Sequence, residues 1–446
     1  MAEDWRRQFV EGQRLLDELA ELGKIGRAND GSISRLAFTP SFLEGRALVQ
    51  GFMSTSGLTT WVDAAGNLFG RFGPVGRRPG DRVVIVGSHL DTVPAGGLFD
   101  GAYGVLASIA AVRALARVDP DRAENVVIVG FCNEEGAFGT AAMTGSRALA
   151  GRLGTSELAH LDDGGATLAD RLAFVSGQDA SLEEAVWAPD EITCYLELHI
   201  EQGERLERAK VPLGLVRVIT GRTSFDVEIS GLPSHAGTTP MGTRRDALAA
   251  AAEVVLLVEG LAVSNEVRVA TIGDVSVTPG ARNVVPGRAH LVGEFRDTSS
   301  QRMKDALKSL RSRLSSLGER RDVRIDMAVI DVVEPTETDP DLRSLIAKVA
   351  QASSTQFIEL DSAAGHDAQA IAQVARVAML FVPSASGISH AAGEFTSPVD
   401  LLCGLEVLTG VVAPLARNDV PPHVDHPSVS QTSAPPSEML DSSGWH

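Results

Sequence analysis

"VVIVGSHLD", residues 83–91, decides the fold. Four aliphatic residues with no polar break read as a strand buried on both faces, and a strand of that kind belongs to a mostly parallel sheet covered by helices. The run then delivers His89 and Asp91, just before the Gly- and Pro-rich loop "TVPAGGLFDG" at 92–101. Downstream, the helical "YGVLASIAAVRALARV" (103–118) is followed by the strands "NVVIVGFCN" (125–133) and "ITCYLELHI" (192–200). Strands alternating with helices predict an α/β domain with a mostly parallel sheet. Upstream, Leu15, Leu16, Leu19 and Leu22 keep the spacing of a docking helix that Gly23 and Gly26 can stop.

From about Gly214 to Val333 the rhythm changes. Strand "SFDVEIS", helix "RRDALAAAAEVVLLVEGL", strands "VRVATIGDVSV" and "RAHLVGEFRDT", helix "QRMKDALKSLRSRLSSL" and strand "DVRIDMAVIDV" give the order βαββαβ. That order predicts a ferredoxin-like domain inserted into the larger one. The larger domain then takes 1–213 and 334–417, resuming with helix "DPDLRSLIAKVAQAS", strand "ARVAMLFVP" and helix "SPVDLLCGLEVLTGVVAPLA". Residues 418–446, rich in Pro, Ser and His with little periodicity, read as a disordered tail.

A chain of 446 residues with 44% apolar and 22% charged content is globular and large enough for two domains. A formal net charge of -18 argues against nucleic acid, which needs clustered cations, and favours a small-molecule partner. The N-terminus lacks an apolar signal region, and no uncharged run approaches the roughly 18 residues of a membrane span, so a cytoplasmic protein without a membrane partner is expected. Cys132, Cys194 and Cys403 are odd in number and far apart, which suits buried thiols rather than disulfides.

Four apolar strands run into metal-ligand residue types at or beyond their C-terminal ends: His89 with Asp100, Glu134 with Glu135, His199, and His390. Ligands bind outside the carboxyl ends of such strands, so these residues are expected to converge. Adjacent buried glutamates repel and lose hydration unless a cation sits beside them. Histidine with carboxylate suits Zn, Mn, Co or Ni, and five ligands exceed the need of one tetrahedral zinc. Two divalent metal ions about 3.5 to 4 Å apart fit the count, with one carboxylate bridging and one glutamate free as a base. Asp91 lies on the same strand face as His89 and is expected to orient its imidazole. G-x-S-x-G, P-loop and strand-borne G-x-G-x-x-G motifs are absent from the sequence.

Read together, "GSHLDTV", "GLFDGAYGVLA", "NEEGAFGT", "ELHIEQGERLE", "SHAGTTPMGTRRDAL", "ARNVVPG", "FRDT", "AAGHDAQ" and "GISHAAGEFTSP" resemble the M20 metallopeptidase-like amidohydrolases. Within them the chain is similar to the branch of N-carbamoyl-L-amino-acid hydrolases and allantoate amidohydrolases, "HIEQG", "HAGTTPM" and "GHDA" being the most specific blocks. The resemblance spans roughly Arg7 to Leu415. It implies a dinuclear site with Asp100 bridging, His89, Glu135, His199 and His390 completing the coordination, and Glu134 as general base. It places Gln202, His235, Asn283 and Arg296 at the substrate, with Arg296 and Asn283 on a carboxylate and His235, reaching in from the inserted domain of a second subunit, on the oxyanion. His366 and Asp367 lie near the metals in the family, in packing or orienting roles.

The expected activity is hydrolysis of the carbamoyl C–N bond of an N-carbamoyl-L-amino acid by a homodimer whose inserted domain serves dimerisation and lid roles. Allantoate or another ureido acid is the alternative substrate; N-acyl or peptide cleavage and a catalytically dead relative rank behind. Two departures stand out: "EEGAFG" lacks the arginine usual in relatives and is one residue short, and "SAAGHDA" puts a methyl at Ala363 beside the expected substrate path.

Overall fold

The computed structural model describes residues 2–76, 80, 82–177 and 181–417. The expected tail at 418–446 lies outside them. In chain order the larger domain begins with β1 (Thr59–Val62), β2 (Leu68–Arg71), β3 (Val83–His89), β4 (Val126–Phe131), β5 (Ile192–Ile200) and β6 (Leu213–Ile219). The excursion that follows holds β7 (Gly221–Ser230), β8 (Ser234–His235), β9 (Val269–Thr278), β10 (Val284–Val285), β11 (Arg288–Asp297) and β12 (Arg324–Val333). The chain returns through β13 (Thr336–Glu337), β14 (Phe357–Ser362) and β15 (Val377–Val382).

Among the described residues the large sheet has nine strands in the order β1-β2-β4-β3-β5-β15-β6-β13, with β14 beside β6. Its centre is parallel, β4 with β3, β3 with β5 and β5 with β15, and antiparallel strands close the flanks. The parallel strands are buried along their whole length, as near-continuous Val and Ile runs require. Apolar clusters lie on both faces of the sheet. On one face the helix Ala102–Val118 packs against β3, the N-terminal helix Ala2–Leu22 and the C-terminal helix Pro398–Leu415. Pro398–Leu415 is long and apolar enough to cross a membrane by length and composition, although Asp400 and Glu406 interrupt it, so it is not the uncharged run of a membrane span. Leu401, Leu405, Leu408 and Val412 of this helix are buried in the core, which accounts for that composition.

The excursion forms its own four-stranded antiparallel sheet, β12-β7-β11-β9, which is the ferredoxin-like order expected of βαββαβ. β7 alternates buried and half-exposed residues, and its buried Phe225, Val227 and Ile229 meet the helices Ala247–Val263 and Ser300–Arg321 in a separate core. β6 runs in the large sheet, so the passage between sheets falls at Thr220, six residues beyond the Gly214 expected from sequence. Hydropathy alone did not separate β6 from β7, because one residue divides two consecutive strands.

Candidate active site

β3 and β5 are neighbours and parallel, so His89 and His199 emerge side by side at their C-terminal ends, ring centroids 5.7 Å apart. His89 Nδ1 faces the Asp91 carbonyl oxygen at 3.0 Å and His199 Nδ1 faces that of Ile200 at 2.9 Å. Those contacts put the proton on Nδ1 in each ring and turn an Nε2 lone pair inward. The inward target is Asp100. Its Oδ1 lies 3.1 Å from His199 Nε2 and 3.6 Å from His89 Nε2, and its Oδ2 lies 3.0 Å from His390 Nε2. His390 Nε2 is also 3.4 Å from Glu135 Oε1.

Two overlapping ligand groups therefore share Asp100: His89 with His199 on one carboxylate oxygen, Glu135 with His390 on the other. Asp100 Oδ1 is buried and makes no hydrogen bond, an orphaned anion among imidazole lone pairs. A bound metal ion would answer that arrangement, so the residues present fit metal binding. Burial pushes the Asp100 carboxyl up, and its three histidine neighbours more than offset it, leaving it well below the usual range. Burial raises Glu134 well above the usual range despite His89, with Glu135 adding to the rise; burial together with Asp100 lifts Glu135 to about 7. The Asp100 contact holds His390 up at about 8.

Asp91 acts differently from the expectation. Its carboxylate is 3.9 Å from His89 Nδ1, and its two oxygens instead accept the backbone N–H groups of Glu134 and Glu135, each at 3.1 Å. The Asp91 carbonyl orients the imidazole while the carboxylate fixes the glutamate pair. Gln202, in the left-handed region at φ 57°, donates Nε2 to Asp100 Oδ2 at 3.0 Å. Arg296 reaches from β11 to the larger domain, donating Nη1 to the Ala363 carbonyl at 2.9 Å and Nε to Glu294 at 2.7 Å. His235 and Asn283 sit together on the exposed β8–β10 ribbon of the inserted domain, where Ala236 N–H donates to the Asn283 carbonyl. Neither makes a hydrogen bond or ion pair to the histidine–carboxylate cluster among the described residues. His366 is buried against His199 with ring centroids 4.8 Å apart, its Nε2 2.8 Å from Ser362 Oγ, and burial beside His199 holds it well below its usual range.

Three supporting residues escaped the sequence reading. Glu394 accepts the N–H groups of Phe99 at 2.7 Å and Asp100 at 3.1 Å, and Ser389 Oγ at 2.8 Å, tying the Asp100 loop to the His390 loop. Glu197 accepts Ser88 Oγ at 2.8 Å and Ala368 N–H at 3.1 Å. Asn133, at φ 60°, donates to Thr140 and Thr144 and accepts Ala137 N–H, clasping the loop that carries the glutamates. An Asn just before "EE", a type that tolerates the left-handed region, was the available signal for the last.

Residues 85–413 match the profile of peptidase family M20/M25/M40. The chain belongs to that family. As an M20 member it is a hydrolase of amide bonds, as the sequence blocks implied. It is 35% identical to an N-carbamoyl-L-amino acid amidohydrolase of Geobacillus stearothermophilus over 92% of this chain and 100% of the relative. It is 32% identical to an allantoate amidohydrolase of Bacillus subtilis, over 90% and 97% of the two chains. A crystal structure of a hydantoinase/carbamoylase-family amidase from Burkholderia vietnamiensis superposes with a TM-score of 0.80 at 33% identity, covering 92% of this chain and 98% of the other.

Proposed function

We propose that this M20 chain hydrolyses the carbamoyl C–N bond of N-carbamoyl-L-amino acids, releasing amino acid, carbon dioxide and ammonia. The observation that carries the reading is the shared Asp100, with His89 and His199 on one oxygen and His390 beside Glu135 on the other, and the buried Glu134 next to His89 and Glu135. Similarity to the Geobacillus enzyme over its full length supports the carbamoyl substrate. His89, His199, Asp100, Glu135 and His390 would hold two divalent ions (Mn, Co, Ni or Zn), which supply Lewis acidity at the scissile carbonyl and acidify the attacking water.

Glu134 does the proton work. Burial and the neighbouring Glu135 raise its affinity for a proton, which suits a group that takes one from water and returns it to the leaving nitrogen. Asp91 holds the Glu134 backbone in place for that transfer. Arg296 grips the substrate carboxylate, Asn283 joins it from the ribbon that also carries His235, and Gln202 lies against Asp100 where the ureido group arrives. His235 donates to the developing oxyanion from the inserted domain. Its exposed position away from the cluster favours delivery by the second subunit of a homodimer. The free edge strand β9, with exposed Val269 and Val275, and the adjoining helix, with exposed Val255, Leu256 and Val263, suit that contact.

Allantoate is the second reading, favoured by the Bacillus relative. Ammonia release by manganese-loaded protein, measured on N-carbamoyl-L-amino acids, their D-enantiomers, allantoate and ureidoglycolate, with and without chelator, separates the two. Chelator-sensitive release from the L-carbamoyl series is expected. Release from allantoate alone would transfer the same machinery to that substrate, and silence across the panel would end both readings.

A further inference from the structure

The inserted domain joins the large sheet through two crossings that run side by side. One passes from β6 to β7 at Thr220, the other from β12 to β13 at Glu334 and Pro335. The flanking strands are paired on either side of the gap, Thr336 opposite Ile219 and Val333 opposite Arg222. At the gap a Cβ on Gly221 would come within 2.6 Å of both Val333 O and Pro335 Cδ, so the crossings touch and have to move as one ribbon.

Gln369 meets this ribbon from the side of the active site. It lies in the short helix Asp367–Ile371 and is 5% exposed. Its Nε2 faces the Thr220 carbonyl at 3.1 Å and the Glu334 carbonyl at 3.4 Å, one on each crossing. A primary amide nitrogen carries two hydrogens, one for each carbonyl. Its Oε1 accepts His366 N–H at 3.4 Å. The Thr220 N–H in turn donates to Ser362 O at 3.0 Å, and Ser362 Oγ is 2.8 Å from His366 Nε2. From Ala368 the bonds continue through Glu197 to Ser88, the residue before His89. The segment from Ser362 to Gln369 is thus bound to the ribbon at both ends and bonded to Arg296 of the inserted domain at Ala363. A side chain that spanned only one crossing would leave the two carbonyls without the donor they share.

We propose that Gln369 is a positioning residue: by holding both crossings with one amide, it sets the seat of the inserted domain over His366 and the histidine–carboxylate cluster. The proposal rests on the hydrolytic reading above for its kinetic consequence, and on geometry alone for its mechanical one.

Gln369→Met keeps the length and most of the volume of the side chain and removes all three hydrogen bonds. Backbone amide exchange, followed by mass spectrometry, is expected to speed up about five- to ten-fold across 219–222 and 333–337, with the core strands β3 and β5 unchanged. On whichever ureido acid the parent hydrolyses, kcat is expected to fall on the order of ten- to a hundred-fold, with KM moving far less and bound metal retained. Unchanged exchange in the two crossings overturns the proposal, as does a lowered melting temperature with kcat intact. Should the Met variant fail to fold, Gln369→Glu keeps an acceptor for His366 N–H but sets a carboxylate against both carbonyls; parental exchange and kcat in that variant overturn the proposal equally. A parent inactive on every ureido acid would end the functional reading, and the exchange result would still decide the role of Gln369.

Discussion

Glu134 and Glu135 are adjacent in sequence, yet their surroundings divide them. Glu135 faces His390 at 3.4 Å, whereas the Glu134 side chain is buried beside His89. That division predicts that Glu134→Gln keeps its metals by elemental analysis and loses about a hundred- to ten-thousand-fold in kcat; turnover near that of the parent would remove it as the base. Arg296 is already half-engaged, with Glu294 on Nε and Ala363 O on Nη1. Arg296→Ala is expected to lower kcat/KM for a carboxylated ureido acid by about ten- to a hundred-fold, and for an uncharged ureide much less. Equal losses on both would refute the carboxylate grip. At this scale the histidines and acids were readable from sequence because each follows an apolar run. The division of labour within Asp91, carbonyl to His89 and carboxylate to the glutamates, depends on distances that no spacing conveys.

At the scale of elements, the helix Pro340–Ala352 opens the return to the large sheet. Asp339 caps it, accepting N–H from Asp341 and Leu342 at 3.0 and 2.9 Å, with Pro340 in the first position. The same carboxylate makes a two-pronged pair with Arg376 at 2.8 and 2.9 Å, so one aspartate ties the helix to the start of β15. Burial alone would raise Asp339, and Arg376 with the amide donors outweighs it, so the folded carboxyl lies below its ordinary 3.8. A depressed carboxyl contributes stability above its unfolded value and loses it as pH falls through the folded one. Asp339→Ala is therefore expected to cost about 1 to 3 kcal/mol at pH 7 by chemical denaturation. The gap between variant and parent should shrink as pH drops below about 4; a gap independent of pH would show that charge has no part in it. "DPDLRSL" carries the cap signal in plain view, whereas the partner Arg376 lies 37 residues away and was not legible.

For the molecule as a whole, the inserted sheet ends in β9, an edge strand, and the helix Ala247–Val263 shows Val255, Leu256 and Val263 to solvent. An open edge and apolar side chains of that kind invite a second copy. Val255→Asp with Leu256→Asp is expected to convert a dimer into a monomer by light scattering and, by removing the partner's His235, to depress kcat with little change in melting temperature. A parent that is already monomeric, or a monomeric variant with full turnover, would exclude delivery of His235 across the interface. The formal charge of -18 on each copy opposes such pairing, so the apolar edge would have to outweigh that repulsion for a dimer to form.

The sequence by itself determined the α/β character, the βαββαβ insert and the residue types at the strand ends, because hydrophobic period and strand-terminal position are local properties of the chain. It also determined the family, since nine short blocks keep their order along the chain. Only the tertiary structure decided which oxygens of Asp100 serve which histidines, that Glu394 and Glu197 brace the site, and that Gln369 spans the two crossings. Those contacts join residues tens to hundreds of positions apart. Their geometry is fixed by how strands align in the sheet, and pairing between distant strands leaves no mark on either stretch alone.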